Sequence, residues 1–391
     1  MRTTAAWSIL ALSCTVVGAC GSPPQPVGPS TPTESASAPV APPASAPAPR
    51  AVQTTLQAVG LAPSALDRSA DPCTDFYQFA CGGWLARTEI PADQSGWSRG
   101  FSELEKRIEE QLRDVLVEAA SGKDPEAKKL GGYWTACMDE ASSEAAGLRP
   151  LEPLMARVRK VSDAKSLAVV LAELHKARVW AVFDLAAAQD FKDATRMIAN
   201  LDQNGLGLPD RDYYLNDDDR SKQLRATYLG HVERMMKLSG MKPAEAKKAA
   251  EEVMALERSL AEASKTKVER RDPKTMYNKV DRAGLGKMAS SFPWDEYFKA
   301  LGFADIAEIN VTAPKFVAQL DKLVRETKPA TWRTYLRWHL VRSTSMALPK
   351  ALVDESFAME KALTGQPELK PRWKRCVDSS DMALGEQLGE R

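Results

Sequence analysis

The chain has 391 residues, 44% of them hydrophobic and 27% charged, enough for one or two domains with a sizeable core. Its 53 Lys and Arg balance 52 Asp and Glu, so there is no basic field to gather nucleic acid, and that class of partner is excluded. Only three histidines are present, which limits imidazole-based metal chemistry to His175, His231 and His339.

Residues 1–19 read as a lipoprotein-type signal peptide. Arg2 supplies a small positive end, and Ala5 to Ala19 is nearly continuously apolar but too short to span a bilayer comfortably. Val17-Gly18-Ala19-Cys20 resembles a bacterial lipobox, which makes Cys20 the expected lipidated N-terminus; the alternative is an ordinary cleaved signal with an incidental cysteine. Gly21, where retention at the inner membrane is associated with aspartate, points to an exported protein anchored at the outer membrane. Residues 20–55 are dominated by Pro, Ser and Ala and are expected to be a disordered tether, because they cannot bury enough apolar surface to offset their ordering entropy. The folded domain is expected over residues 56–391.

It opens on Asp71-Pro72-Cys73-Thr74-Asp75-Phe76-Tyr77-Gln78-Phe79-Ala80-Cys81-Gly82-Gly83-Trp84. Two cysteines bracket an aromatic cluster, and Gly82-Gly83 reads as a sharp turn into Trp84. Phe101, Leu104, Ile108, Leu112, Val115, Leu116 and Ala119 then recur at three- and four-residue spacing and predict an amphipathic helix. Leu130, Tyr133, Trp134, Cys137 and Ala141 predict a second, with Cys137 on its buried stripe. Further helices are predicted through Leu151–Val158 and Leu167–Leu174.

The pattern then changes. Two short apolar runs, 179–187 and 195–201, flank the polar segment 189–193 and predict a β-hairpin, followed by a loop over 204–215. Helical spacing resumes through Leu224–Leu238, Ala246–Leu260, Trp294–Leu301, Phe316–Val324, Trp332–Ser343 and Trp373–Leu388, with Gly240 and Gly302 as stops. The fold class is mainly α with a minor β-hairpin.

A zinc hydrolase needs two histidines one helical turn apart and a glutamate that activates water, the form H-E-x-x-H. No histidine here is followed by Glu-x-x-His. His175 reads as a satisfied buried or boundary residue, and His231 and His339 as helix-surface residues. Asn204-Gly205-Leu206-Gly207 lacks the Gly-Lys-Ser/Thr ending of a phosphate loop. Asp210, Asp212 and Asp217-Asp218-Asp219 read as turn and helix-start residues rather than paired catalytic carboxylates. With Cys14 removed in the signal and Cys20 lipidated, Cys73, Cys81, Cys137 and Cys376 remain in an oxidising setting and permit three pairings.

The opening segment, with Ile90-Pro91 after it, resembles the start of the ectodomain in the neprilysin and endothelin-converting-enzyme family of zinc metallopeptidases. Leu130-Gly131-Gly132-Tyr133-Trp134-Thr135-Ala136-Cys137-Met138-Asp139-Glu140 is similar to another of its segments, as are Gln203-Asn204-Gly205-Leu206-Gly207-Leu208-Pro209-Asp210-Arg211-Asp212-Tyr213-Tyr214-Leu215 and Pro371-Arg372-Trp373-Lys374-Arg375-Cys376-Val377. The likeness runs from about Leu61 to Arg391.

It implies a multi-helical lid-type domain and a zinc-dependent endopeptidase activity on oligopeptides. In the family, the zinc-binding C-terminal catalytic domain follows this region. The resemblance therefore places no catalytic or metal residue here, and the chain alone is expected to be inactive and without zinc. It implies a Cys137–Cys376 pair, and partners for Cys73 and Cys81 in the catalytic part. Phe101 matches an aromatic lining the substrate cleft. Gly96 and Glu105 stand near the family's carboxylate-gripping arginines, with Arg99 and Lys106 as the nearest substitutes. Implied partners are a separate C-terminal catalytic chain, peptides, and the membrane through the lipid anchor. Without the catalytic part, Phe76, Phe79, Trp84 and the Phe101 helix are expected to be exposed and to promote association. The rival reading is a non-catalytic peptide- or partner-binding envelope lipoprotein.

Overall fold

Short polar side chains set many of the helix starts. The computed structural model describes residues 62–391 apart from Lys123 and Glu126, so the signal peptide, Cys20 and the tether lie outside the described residues. Asp75 accepts a hydrogen bond from the Gln78 amide at 2.8 Å and caps α1 (Phe76–Leu85). Helix α2 (Phe101–Ala120) carries the predicted apolar stripe. Helix α3 (Lys128–Met138) ends at Asp139, whose side chain caps α4 (Glu140–Ala146), so Ala141 sits on a separate helix from Cys137. Helix α5 (Glu152–Arg159) has a proline in its first turn, and α6 (Ala164–Lys176) starts in a reciprocal box between Asp163 and Ser166. Each such cap contributes about 1 kcal/mol.

Strands β1 (Phe183–Asp190) and β2 (Asp193–Gln203) form the predicted antiparallel hairpin. The first strand starts four residues later than the apolar run does, because Arg178 and Val182 have φ of 60° and 66° and turn the chain out of extended geometry. The Val182 amide donates to the Tyr335 hydroxyl at 3.1 Å, which holds this strained point in place. After the hairpin come α7 (Asp212–Leu215), α8 (Asp219–Leu238), α9 (Pro243–Ala263) and α10 (Pro273–Met276). Then follow β3 (Lys279–Asp281), α11 (Arg282–Met288), α12 (Trp294–Leu301), β4 (Glu308–Val311), α13 (Pro314–Glu326), α14 (Pro329–Thr344), α15 (Lys350–Thr364) and α16 (Arg372–Gly389).

The hairpin is half of a four-stranded sheet of order β1-β2-β4-β3. Strand β4 pairs parallel with β2, Leu201 opposite Val311, and β3 pairs antiparallel with β4. An isolated hairpin was the expectation. Strands of three and four residues are too short to show a two-residue period, so their existence rests on the ladder they complete.

Two apolar clusters result. The larger runs from Leu151 to Met359 around α14, where Trp332, Tyr335, Leu336, Trp338, Leu340 and Val341 are all buried. A helix covered over most of its surface hides polar residues too, and His339 is 1% exposed. His231 on α8 is 4% exposed. Both histidines are therefore core residues, contrary to the helix-surface reading. The smaller cluster joins α2, α3 and α16 through Leu116, Leu130, Trp134, Val377 and Leu388. Across it Cys137 and Cys376 form a disulfide that closes a separation of 239 residues. Among the described residues no helix is long and apolar enough to cross a membrane.

Replacing both bridge cysteines (Cys137→Ser with Cys376→Ser) is expected to cost about 3–5 kcal/mol in urea unfolding. Hydrogen exchange should accelerate first in α2, α3 and α16 and leave the sheet protected; uniform acceleration would contradict two separate clusters.

Candidate functional site

The opening segment is held by its acidic residues. Asp71 accepts from the Cys73 amide at 2.9 Å and from the Thr74 hydroxyl at 2.8 Å, which turns the chain into the cap at Asp75. Gly82 and Gly83 lie inside α1 and make no turn, contrary to the sequence reading. A Cβ on Gly83 would stand 2.5 Å from the Ser64 carbonyl oxygen and 2.6 Å from that of Leu66, so the glycine is needed for close backbone approach. Arg87 fastens the same contact, donating to the Ser64 carbonyl at 2.6 Å.

This leaves an apolar face without cover. Phe76 is 69% exposed, Tyr77 66% and Phe101 75%. Along α2, Phe101, Leu104 and Ile108 are exposed, whereas Leu116 and Ala119, further along the predicted stripe, are buried in the smaller cluster. One helix face is thus half covered and half open. Trp84 departs from expectation: it is buried, and its indole N–H donates to Glu103 at 3.4 Å. Cys73 is exposed and Cys81 half-buried, and both are free thiols. Arg99, Glu105 and Lys106 point to solvent beside Phe101 in the chain.

The covered half of α2 is locked by charge as well as packing. Lys374 of α16 pairs with Asp93 at 2.8 Å and Glu109 at 3.4 Å, all three largely buried. Burial works against the Lys374 ammonium, but the hydrogen bond to Asp93 and the Glu109 charge prevail and hold its pKa above the ordinary range. Burial raises the Glu109 carboxyl despite Lys374. Arg113 lies over the Trp373 ring, 5.1 Å from its centroid.

The loop over 204–215 is anchored from beneath by a buried carboxylate. Glu257 on α9 is fully buried and accepts from the Tyr214 hydroxyl at 2.8 Å, the Tyr228 hydroxyl at 2.7 Å and the Trp338 indole N–H at 3.2 Å. Tyr214 in turn accepts the amides of Gly207 at 3.0 Å and Leu208 at 2.8 Å. Burial, then the Glu257 charge, pushes both tyrosine hydroxyls well above their ordinary pKa. A Cβ on Gly207 would fall 1.7 Å from the Tyr228 oxygen, so this glycine serves packing rather than phosphate binding. Asp218 caps α8, and Asp210 accepts from the Asp212 amide at 2.8 Å, as expected of helix-start and turn residues. Glu257, absent from the sequence-based expectations, had a signal there: it stands four residues after Val253 and three before Leu260, inside an apolar stripe.

The histidines do not come together as ligands. His175 bonds the Tyr297 hydroxyl at 2.7 Å and the Ala181 carbonyl at 3.0 Å, and burial pulls its pKa down to about 4. His231 bonds Glu355 at 2.8 Å. His339 stands 3.4 Å from Glu257, too poorly aimed for a hydrogen bond, and burial lowers its pKa. No group of three or more His, Cys, Asp or Glu among the described residues could hold a metal ion. These residues do not fit a zinc centre.

The profile described as Peptidase family M13 matches residues 72–391. Endothelin-converting enzyme 1 of Homo sapiens is 30% identical over 344 residues, spanning 83% of this chain and 44% of that protein. Endothelin-converting enzyme-like 1 of Rattus norvegicus is also 30% identical, over 342 residues, with the same shares covered. The crystal structure of Mycobacterium tuberculosis zinc metalloprotease Zmp1 with an inhibitor superimposes with a TM-score of 0.81 at 32% identity, covering 85% of this chain and 51% of that one. The chain spans about half the length of the relatives it matches.

Glu257→Gln turns an amide N–H toward hydroxyl and indole donors, leaving a buried donor unpaired. It is expected to cost about 1–3 kcal/mol in chemical denaturation, and Glu257→Leu more. A neutral result for both would remove the carboxylate from its anchoring role.

Proposed function

The chain belongs to peptidase family M13, a family of zinc metallopeptidases, and from that premise we propose that it forms the non-catalytic, lid-bearing portion of an exported oligopeptidase. The zinc ligands come from polypeptide outside these 391 residues, which contain no H-E-x-x-H. When bound there, zinc supplies the activated water for peptide-bond hydrolysis. This chain supplies surface: Phe101 faces the peptide cleft, and α1 with the open half of α2 receives the zinc-bearing half. The observation that carries the reading is the α2 stripe, which is buried at Leu116 and Ala119 but open at Phe101, Leu104 and Ile108. An apolar helix face that runs out of its own core into solvent marks an interaction surface. Cys73 and Cys81, free on the same segment, pair with cysteines of that half in the oxidising envelope. Export and membrane attachment proceed through lipidated Cys20, with residues 20–55 as the tether.

Co-production with a polypeptide carrying the H-E-x-x-H portion is expected to yield a complex bridged through Cys73 and Cys81 that cleaves a quenched oligopeptide and stops on chelation. The chain alone should associate in light scattering, lose zinc on dialysis and cleave nothing. Retention of stoichiometric zinc together with cleavage by the chain alone would overturn the proposal. A monodisperse monomer that binds peptides without a second half would favour the peptide-binding lipoprotein instead.

Cells labelled with palmitate should incorporate it into this protein, and Cys20→Ala should abolish the label. An unmodified mature N-terminus in mass spectrometry would refute the anchor.

A further inference from the structure

A cavity of about 290 Å³ lies between α5, α14 and the turn from α8 to α9, and three guanidinium groups line it: Arg159, Arg333 and Arg337. Their neutralisation is incomplete. Arg159 pairs with Glu152, the one carboxylate in the lining. Arg333 donates to the Val161 carbonyl at 2.7 Å, and Arg337 donates to the Ser239 carbonyl and hydroxyl; neither has an ion-paired carboxylate among the described residues. The Nε of Arg337 is buried and has no hydrogen-bond partner among the described residues. Burial pulls the Arg337 guanidinium below its ordinary pKa, the neighbouring Arg159 charge adds to this, and Glu245 opposes it from a distance. Apart from Ser239 and Thr334, the rest of the lining is apolar and includes Met155, Val158 and Met241.

A half-buried cation whose Nε is buried with its hydrogen bond unmade is unfavourable unless something completes it. A guanidinium presents a fixed fork of donors matched to carboxylate and phosphate oxygens, and two such forks at one cavity select an oxyanion. We propose that this cavity binds a small organic anion, its oxyanion head held by Arg333 and Arg337 and its short apolar body against Met155, Val158 and Met241. No lining residue belongs to α1 or α2, so the site is independent of the surface proposed for the zinc-bearing half. Glu152 keeps Arg159 turned to the rim, where its side chain is 59% exposed and positioned at the entrance. Guanidinium groups without an ion-paired carboxylate distinguish the site from a second basic cavity near Lys265, Lys267 and Arg270, where Asp210 and Asp202 pair with Lys267 and Arg270.

Calorimetric titration of the full chain at constant ionic strength tests the site, with butyl phosphate, butyrate and inorganic phosphate as separate probes. Saturable binding of butyl phosphate or butyrate is expected, tighter than inorganic phosphate, and the stronger of the two identifies the head group. Arg333→Gln should weaken it about tenfold or more, since one charge-assisted fork is lost. Arg159→Gln, at the exposed rim, should weaken it in the same direction and serves if Arg333→Gln does not fold. Lys267→Gln, in the other cavity, should leave it unchanged. Absence of saturable binding, or affinity in the Arg333 and Arg159 variants equal to that of the unaltered chain, would overturn the site. Equal binding of inorganic phosphate and butyl phosphate would overturn the apolar contact.

Discussion

A single buried carboxylate organises the larger core. Glu257 places a carboxyl group in the fully buried interior, and such a group is tolerated only when hydrogen-bond donors surround it. Tyr214, Tyr228 and Trp338 provide them, one from the loop helix α7, one from α8 and one from α14. Those elements are separated widely in sequence, so the carboxylate fixes their mutual position more narrowly than apolar packing alone can. The loop above inherits this order, because the Tyr214 oxygen receives two of its amides while donating its own proton inward. The Asn-Gly-Leu-Gly-Leu-Pro-Asp sequence is thereby explained as architecture. Its glycine at 207 leaves room for a tyrosine hydroxyl, and its aspartate at 210 shapes a turn.

The two apolar clusters differ in how far they close. Around α14 the core closes over most of the helix, and even His231 and His339 are hidden there. Around α2 the closure is partial. The disulfide, the Lys374 bridges and the Trp373 contact hold one half of that helix against α16, while the other half and α1 present aromatic side chains to solvent. This open apolar surface beside a fastened core is the feature on which the proposed docking of a further surface rests. The arginine-lined cavity is a different kind of incompleteness, polar rather than apolar, and arises where α14 turns its basic side toward α5.

The sequence by itself determined the helical stripes, the hairpin, the aspartates that start helices and the absence of an H-E-x-x-H pair. These are local matters: spacing of apolar residues decides which face is buried, and a capping carboxylate acts within three residues of itself. The second half of the sheet was not legible, since β3 and β4 are too short to show a period and exist through pairing with β2. Gly82-Gly83 read as a turn because glycine permits one; only the backbone of Ser64 to Leu66 lying against α1 shows that the need was for space. His231 and His339 read as surface residues because an imidazole is polar, although His231 stands three residues after Tyr228 and four before Met235 on the buried stripe of α8, whose other side is exposed. What only the tertiary structure decided is the partner that makes such burial tolerable: Glu355 bonds the His231 ring from a distant helix, and no local pattern shows it.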